Sequence, residues 1–296
     1  MIRRPPRSTQ SRSSAASDVY KRQPHGSPGH EDFRRGGKWI WVPFIFFVAA
    51  TGILAAADIR EVFEPPWLQT AVKLAFVVGT SFVSAVLALQ GYRAGGGVPV
   101  LLLGCSMVLF GSANLLGPVL VSLGRSNEGT TVSNIGSLLA GMSHLAGASF
   151  LIFGRPAAKA RSDRRFSSAA ALGACFALMA ALTAVAWKNL LPQFMTSAGT
   201  TTVRTVVLLV TVAEYLISAS MFASMRRKTG MRFLDMYWLG LAQIGVGLTA
   251  SALARFGSPL SWTGRAAQCS GLIYILAGLL VLLKEKRIRG VSAGER

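Results

Sequence analysis

Residues 98–123, VPVLLLGCSMVLFGSANLLGPVLVSL, contain no charged side chain and few polar ones. A helix needs roughly 20 residues to cross the hydrocarbon core of a bilayer, which is about 30 Å thick, and this stretch is long enough. Seven other runs share its length and apolar character. The predicted spans are Trp39–Ala57, Trp67–Leu89, Val98–Leu123, Ser133–Phe153, Ser167–Trp187, Thr202–Met225, Leu234–Leu253 and Trp262–Leu283. The sequence therefore predicts an all-α fold, a polytopic transmembrane bundle of eight helices.

The composition supports a membrane protein. Hydrophobic residues make up 51% of the chain, charged residues only 15%, and the mean hydropathy is +0.46. Soluble domains usually carry about 25% charged residues. The net charge of +19 resembles that of a nucleic-acid-binding protein, but the basic residues lie between apolar runs and form no patch interleaved with aromatic residues. We therefore expect the lipid bilayer, and no nucleic acid, as a partner.

The distribution of Lys and Arg predicts the orientation. They concentrate before the first span, after the last one and in alternate connections; the fourth-to-fifth connection alone carries five. The remaining connections are short and carry few. By the positive-inside rule, the basic side is cytoplasmic. The prediction is a multi-pass protein of the cell (inner) membrane with both termini cytoplasmic.

Three segments follow from these boundaries. Residues 1–38 are predicted to form a disordered basic tail, residues 39–284 the transmembrane domain, and residues 285–296 the cytoplasmic start of a signalling linker. Residues 1–23 resemble translated sequencing-adapter read-through, and we exclude them from the fold. Without them the net charge falls from +19 to +14.

Ionisable and amide side chains near the middle of a span are costly in lipid and usually face the bundle interior. His144, Glu214 and Gln243 lie near the middle of the fourth, sixth and seventh spans. We expect a hydrogen bond between His144 and Glu214, with Gln243 as a candidate third member. The alternative is that each of these side chains only forms a hydrogen bond that holds two helices together.

A second polar set lies in the outer halves of the spans. Its members are Asn114, Asn134, Arg204, Arg265 and Gln268. Together they are expected to line an outward-facing pocket suited to an anionic or polar small molecule. Two alternatives stay open. In one, the amide side chains serve only to form interhelical hydrogen bonds, worth about 0.6 kcal/mol each. In the other, the arginine side chains only extend to the interface between membrane and water.

The residues that common catalytic and cofactor sites need are missing. His144 is the only histidine in any predicted span, which argues against a haem held by paired histidines. The three cysteines lie in apolar runs without CxxC spacing, so no zinc site or disulfide is expected. No phosphate-binding glycine loop occurs, and Glu214 is the only clear carboxylate at mid-membrane depth. We expect no cofactor, no metal and no enzymatic activity in this chain.

Three stretches carry a resemblance to a known family. They are LLLGCSMVLFGSANLLGPVL (101–120), NEGTTVSNIGSLLAGMSHLAGA (127–148) and GSPLSWTGRAAQCSGLIYILAGLLVLLKEKR (257–287). They resemble the N-terminal eight-helix membrane-associated sensor module that precedes PAS and histidine-kinase domains in bacterial and archaeal sensor proteins. The resemblance implies a sensory input unit whose last helix continues into a histidine kinase or diguanylate cyclase output, with a homodimer formed through that output. The present chain carries no such domain, so we expect it to be truncated before its output.

A different class of function remains open. A small-solute or proton-coupled secondary transporter would use Glu214 and His144 as its coupling pair. The two halves of the chain show no inverted repeat, which is a common transporter feature. A structural membrane subunit is a third, weaker alternative.

Overall fold

The computed structural model describes residues 39–59, 61–62, 66–154, 161–196, 199–254 and 257–294, without the side chains of residues 66, 69, 161, 162 and 286–294. The predicted tail 1–38 lies outside the described residues, as do residues 295–296 and the side chains of most of the predicted linker. The compact helical bundle begins at Pro43.

Eight helices in the described ranges are long and apolar enough to cross a membrane. They are α1 (Trp39–Ala57), α2 (helix Pro66–Val72, a π-helical stretch Lys73–Val78 and helix Gly79–Arg93), α3 (Val98–Ser122), α4 (Ser126–Phe153), α5 (Arg161–Trp187), α6 (Thr202–Thr229), α7 (Arg232–Leu253) and α8 (Pro259–Gly294). The predicted all-α polytopic bundle of eight helices is confirmed. A short antiparallel pair, β1 (Met195–Thr196) and β2 (Gly199–Thr200), lies between α5 and α6, where the sequence indicated no strand.

Several helix ends differ from the predicted ones. α4 begins at Ser126 instead of Ser133, α5 at Arg161 instead of Ser167, and α8 ends at Gly294 instead of Leu283. In α4 the first turn is polar but well bonded: Thr130 and Thr131 donate their hydroxyls to the carbonyls of Ser126 and Asn127, each at 2.8 Å. Hydropathy therefore shows where a helix becomes apolar, while the helix itself begins earlier.

α3 is the most buried span, and it packs against α2, α4 and α5. Further core contacts run from α4 to α6, from α6 to α7 and from α7 to α8. α1 is the least buried; within it only Thr51 is fully buried. Helices in lipid associate where small residues allow the backbones to approach. A Cβ on Gly271 of α8 would lie 2.5 Å from the Gly240 carbonyl oxygen of α7, and one on Gly264 would lie 2.8 Å from the Gly247 carbonyl oxygen. These two glycine contacts fix α8 against α7.

α2 contains the π-helical stretch, from Lys73 to Val78. Such wide turns are rare and occur frequently at functional sites. Hydropathy does not indicate a π-helix, because the turn changes the direction of side chains without changing composition. Here it begins at the one lysine of α2, at the edge of the cavity described below.

Candidate functional site

His144 is completely buried and joins three helices. Its Nδ1 atom is hydrogen-bonded to the hydroxyl of Tyr237 in α7 at 2.7 Å and lies 3.2 Å from Ser106 Oγ in α3. Ser106 also donates to the carbonyl of Leu103 at 2.7 Å. Within the described part of the chain, His144 Nε2 is buried without a hydrogen-bond partner.

The expected hydrogen bond between His144 and Glu214 is wrong. Glu214 lies one turn away along α4, against Gly141, where a Cβ would collide with its Oε2 atom. The neighbouring Tyr215 takes the place beside the imidazole, with ring centroids 5.4 Å apart in an edge-to-face arrangement. Glu214 Oε2 is buried, and no partner for it is found among the described residues. Rotation of α6 about its axis thus directs the tyrosine, rather than the carboxylate, to the histidine.

Gln243 does not join the histidine network either. Both of its amide atoms are buried and have no partner in the described ranges. Its depth is nevertheless similar to that of His144. Gly141 and Gly245 both pack against the segment that contains Glu214, Tyr215 and Leu216. At 1.5 Å per residue, His144 lies about 4.5 Å after Gly141 and Gln243 about 3 Å before Gly245. Because α4 and α7 run in opposite directions, both displacements point to the same side of that segment. The middle of the bundle therefore contains a set of polar atoms that find no hydrogen-bond partner among the described residues.

The second polar set lies around one cavity of about 220 Å³, which we call the cationic cavity. It lies where α2, α4, α6 and α8 begin and where α3 and α7 end. All five members of the predicted outer set line it: Asn114, Asn134, Arg204, Arg265 and Gln268. His144, Glu214 and Gln243 do not line it. The eight sequence candidates thus divide into two places, the buried middle and the cavity.

Lys73 is a third basic residue of the cavity, and the sequence analysis missed it. It lies inside the predicted second span, Trp67–Leu89, where a single lysine hardly lowers the mean hydropathy of the surrounding apolar residues. An inventory of every charged residue within the spans would have found it. Lys73 and Arg265 are close enough for their charges to interact.

Arg204 is held at the start of α6. The backbone N–H of Arg204 donates to the Thr201 hydroxyl that caps the helix, at 3.4 Å. Its Nη2 atom donates to the Ser251 carbonyl at 3.4 Å, while its Nε atom is buried without a partner in the described part of the protein. Ser251 also accepts a hydrogen bond on its hydroxyl from Gln268 Nε2 at 3.4 Å. Ser251 of α7 thereby links the cavity side chains of α6 and α8.

The two asparagines differ in their bonding. Asn114 Nδ2 donates to the carbonyl of Phe110 in its own helix at 2.8 Å. Asn134 Nδ2 is buried, and the described residues offer it no acceptor. Asn114 Nδ2 is thus bonded within its own helix, and not between helices as the alternative proposed. Asn134 Nδ2 remains without an acceptor among the described residues at the cavity.

The described residues contain no group of three or more His, Cys, Asp or Glu that is arranged to hold a metal ion. Among the described residues, the lining of the cavity includes three basic side chains and no carboxylate. Such a lining attracts negatively charged groups.

Comparison with known proteins supplies no relative: no family model, no curated protein and no solved structure matches the chain. The cavity, the helices that form it and the charges around it therefore carry the information about function.

Proposed function

We propose that the chain is the membrane-embedded sensory input module of a signal-transduction protein. The observation that supports it most directly concerns α8. This helix places Arg265 and Gln268 at the cationic cavity and continues without interruption to Gly294. Its 36 residues extend about 54 Å at 1.5 Å per residue, well beyond a hydrocarbon core of about 30 Å. A ligand in the cavity would thus contact the helix that leaves the membrane.

The proposed orientation places the two ends of α8 on opposite sides of the membrane. The Lys- and Arg-rich connections favour cytoplasmic termini in the cell (inner) membrane. The cavity then lies at the opposite end of the bundle. A stimulus would reach it from outside or from the outer leaflet, and α8 would carry the response to the cytoplasm.

The mechanism requires two arrangements of α8 with different affinities for the ligand, because a ligand shifts an equilibrium only by its differential affinity. Arg204 of α6, Lys73 of α2 and Arg265 of α8 all line the cavity. Neutralising the repulsion among these residues would draw α8 towards α2 and α6. Displacements of 1–2 Å are typical of helix movements in signalling.

On the resemblance described above, the output is a histidine kinase or a diguanylate cyclase that dimerises in the cytoplasm, and the present chain contributes input without catalysis. Signal transmission can be tested by fusing the full chain to a histidine-kinase core through insertions of one to seven alanines after Glu285. Each added residue turns the helix by about 100°. Kinase activity is expected to alternate with insertion length and to return near its original level at seven residues.

A matched series separates rotation of the helix from simple distance. Flexible glycine insertions of the same lengths interrupt the helix and should abolish the periodic response. Kinase activity that changes in the same way with both series, or with neither, contradicts transmission through α8.

One observation favours a transporter as the second candidate. Glu214 is an ionisable group within a span and its Oε2 atom has no partner among the described residues. The candidate coupling pair is weakened, however, because His144 bonds Tyr237 instead of Glu214. Proteoliposomes that take up a solute under a proton gradient, and lose this uptake in Glu214→Gln, would favour transport over sensing.

A further inference from the structure

We propose that the cationic cavity binds a small oxyanion, a molecule whose carboxylate or phosphate group lies among Lys73, Arg204 and Arg265. This inference rests on the proposed sensory function and supplies the chemical class of its ligand. The oxyanion belongs either to a soluble molecule or to a lipid headgroup, and the experiment below distinguishes these two sources.

The charges are the first argument. Lys73, Arg204 and Arg265 come from three different helices and line the same cavity, and no Asp or Glu is among its described lining residues. Basic side chains within membrane spans are expensive and are usually paired. Lys73 and Arg265 in addition act on each other as like charges. A bound anion would place negative charge beside these three cations, in a cavity whose described lining residues carry none.

The unpaired donors are the second argument. Arg204 Nε and Asn134 Nδ2 are both buried without an acceptor in the part of the chain that the structure describes. A guanidinium group has only donors, and an ionised carboxylate or phosphate has only acceptors. Arg204 is already oriented by the Ser251 carbonyl and the cap at Thr201. An oxyanion beside it would therefore meet a donor that is held in place.

The helix directions are the third argument. The cavity is lined by residues near the beginnings of α2, α4, α6 and α8 and near the ends of α3 and α7. The beginning of a helix carries a partial positive charge and its end a partial negative one. Four beginnings against two ends leave a positive contribution from the backbone, which adds to that of the side chains.

The π-helical turn contributes to the placement of Lys73. Val72, Lys73 and Val77 all line the cavity, and a separation of five residues between Val72 and Val77 matches the i to i+5 pattern of a π-helix. The wide turn allows this part of α2 to present more of its residues to one side. Lys73 is the charged residue in that surface.

The cavity volume limits the size of the ligand. Pockets for drug-sized ligands enclose about 300–1,000 Å³, and the cationic cavity encloses about 220 Å³. Inorganic phosphate and small carboxylates are suitable probes, whereas a nucleotide is larger than the enclosed space allows. A lipid would place only its phosphate group there.

The test uses the purified full chain in a neutral detergent at constant ionic strength. Inorganic phosphate, succinate, acetate and chloride are added in turn, and Tm is followed, because a ligand that binds only the folded protein raises Tm. Phosphate or a carboxylate is expected to raise Tm in a saturable manner, while chloride is expected to have no such effect. A parallel series uses nanodiscs made with and without phosphatidylglycerol.

Lys73→Gln and Arg265→Gln are expected to weaken binding at least about tenfold, which corresponds to about 1.4 kcal/mol, the lower end of the range for a hydrogen bond to a charged group. Lys73→Arg, which keeps the charge, is expected to retain binding. Lys188→Gln is the matched control, because Lys188 follows α5 at the same end of the bundle and does not line the cavity. Each variant is first checked for a single symmetric peak in gel filtration.

A response to soluble anions identifies a soluble ligand, and a response confined to nanodiscs with phosphatidylglycerol identifies a headgroup; each supports the proposal if Lys73→Gln removes it. The proposal is overturned if no oxyanion of either kind stabilises the protein, or if Lys73→Gln and Arg265→Gln bind as the original chain does. Binding without any change in the kinase fusion would instead contradict the sensory function and leave the ligand class standing.

Discussion

The Nδ1 atom of His144 and the hydroxyl of Tyr237 lie 2.7 Å apart and join α4 to α7 inside the bundle. Both residues are almost completely buried, so water from the surface does not replace either partner. The Tyr237 ring also packs edge to face on Phe222 of α6, with centroids 4.6 Å apart. A single tyrosine therefore connects the packing of three helices with the hydrogen bonding of the histidine.

Tyr237→Phe removes this hydrogen bond and keeps the ring. We expect the free energy of unfolding to fall by about 1–2 kcal/mol, since hydrogen bonds between helices in membranes contribute up to about 1.7 kcal/mol and His144 would lose its closest partner. The measurement is Tm or reversible unfolding of the purified protein in detergent.

Tyr215→Phe is the matched control for this change. The Tyr215 hydroxyl is equally buried but has no hydrogen-bond partner in the described ranges. Its removal is expected to leave stability unchanged or to increase it slightly, because no bond is lost. Equal destabilisation by the two substitutions would show that the His144–Tyr237 bond contributes nothing specific.

A second prediction concerns Gly141. A Cβ at this position would collide with Glu214 Oε2 and lie 3.3 Å from the Tyr215 ring. Gly141→Ala should therefore destabilise the protein by about 1–3 kcal/mol through overpacking. Gly173→Ala in α5 is the control, since nothing lies within 4 Å of its added Cβ, and it should be neutral or stabilising by about 0.5–1 kcal/mol.

The cause of the Gly141 effect can be tested by a double substitution. Glu214→Ala removes the carboxylate that the new methyl group meets. The destabilisation by Gly141→Ala should then become smaller, with a coupling of about 0.5 kcal/mol or more between the two positions. Additive effects in the thermal unfolding of the single and double variants would contradict the contact between Gly141 and Glu214.

The helices were predictable from the sequence because crossing a bilayer imposes length and apolarity on each one. The ends at Ala57, Phe153, Trp187 and Leu253 agree with the structure. The start of α4 was not predictable in this way, because its polar first turn depends on tertiary contacts. Asn127 accepts hydrogen bonds on Oδ1 from the backbone N–H groups of Phe194 and Met195, at 2.8 and 3.0 Å.

For the candidate residues, the sequence predicted the depth along the bundle axis but not the side of the helix on which each side chain lies. Depth alone grouped Asn134, Arg204 and Arg265 near one end, and the structure places all three around one cavity. The His144–Glu214 pair failed because depth does not determine how each helix is rotated. The rotation depends on packing, such as the close approach of Gly141 to α6, which hydropathy does not contain.

A third prediction concerns the contact between α4 and α5. Arg125 donates to the Trp187 carbonyl at 3.0 Å and to Glu128 at 3.1 Å, and its guanidinium carbon lies 3.7 Å from the centroid of the Trp187 ring. Arg125→Lys keeps the charge but loses the planar stacking. This substitution should lower the free energy of unfolding by about 0.5–1 kcal/mol. Lys188→Arg, at the residue that follows Trp187, is the control and should leave stability unchanged. If Lys at position 125 is as stable as Arg in thermal unfolding, the stacking makes no contribution.

The final prediction concerns Gln243, whose two amide atoms are buried and unpaired within the described residues. Leaving such groups unbonded costs about 1–3 kcal/mol, so Gln243→Leu is expected to keep or raise Tm. Gln268→Leu is the counterpart, because Gln268 donates to the Ser251 hydroxyl and lines the cationic cavity; it should lower Tm and weaken the response to oxyanions. If Gln243 is retained for signalling, Gln243→Leu will also change the activity of the kinase fusion while the protein stays folded. A fall in Tm for Gln243→Leu would show instead that the glutamine forms a stabilising hydrogen bond, and would contradict the description of its amide atoms as unpaired.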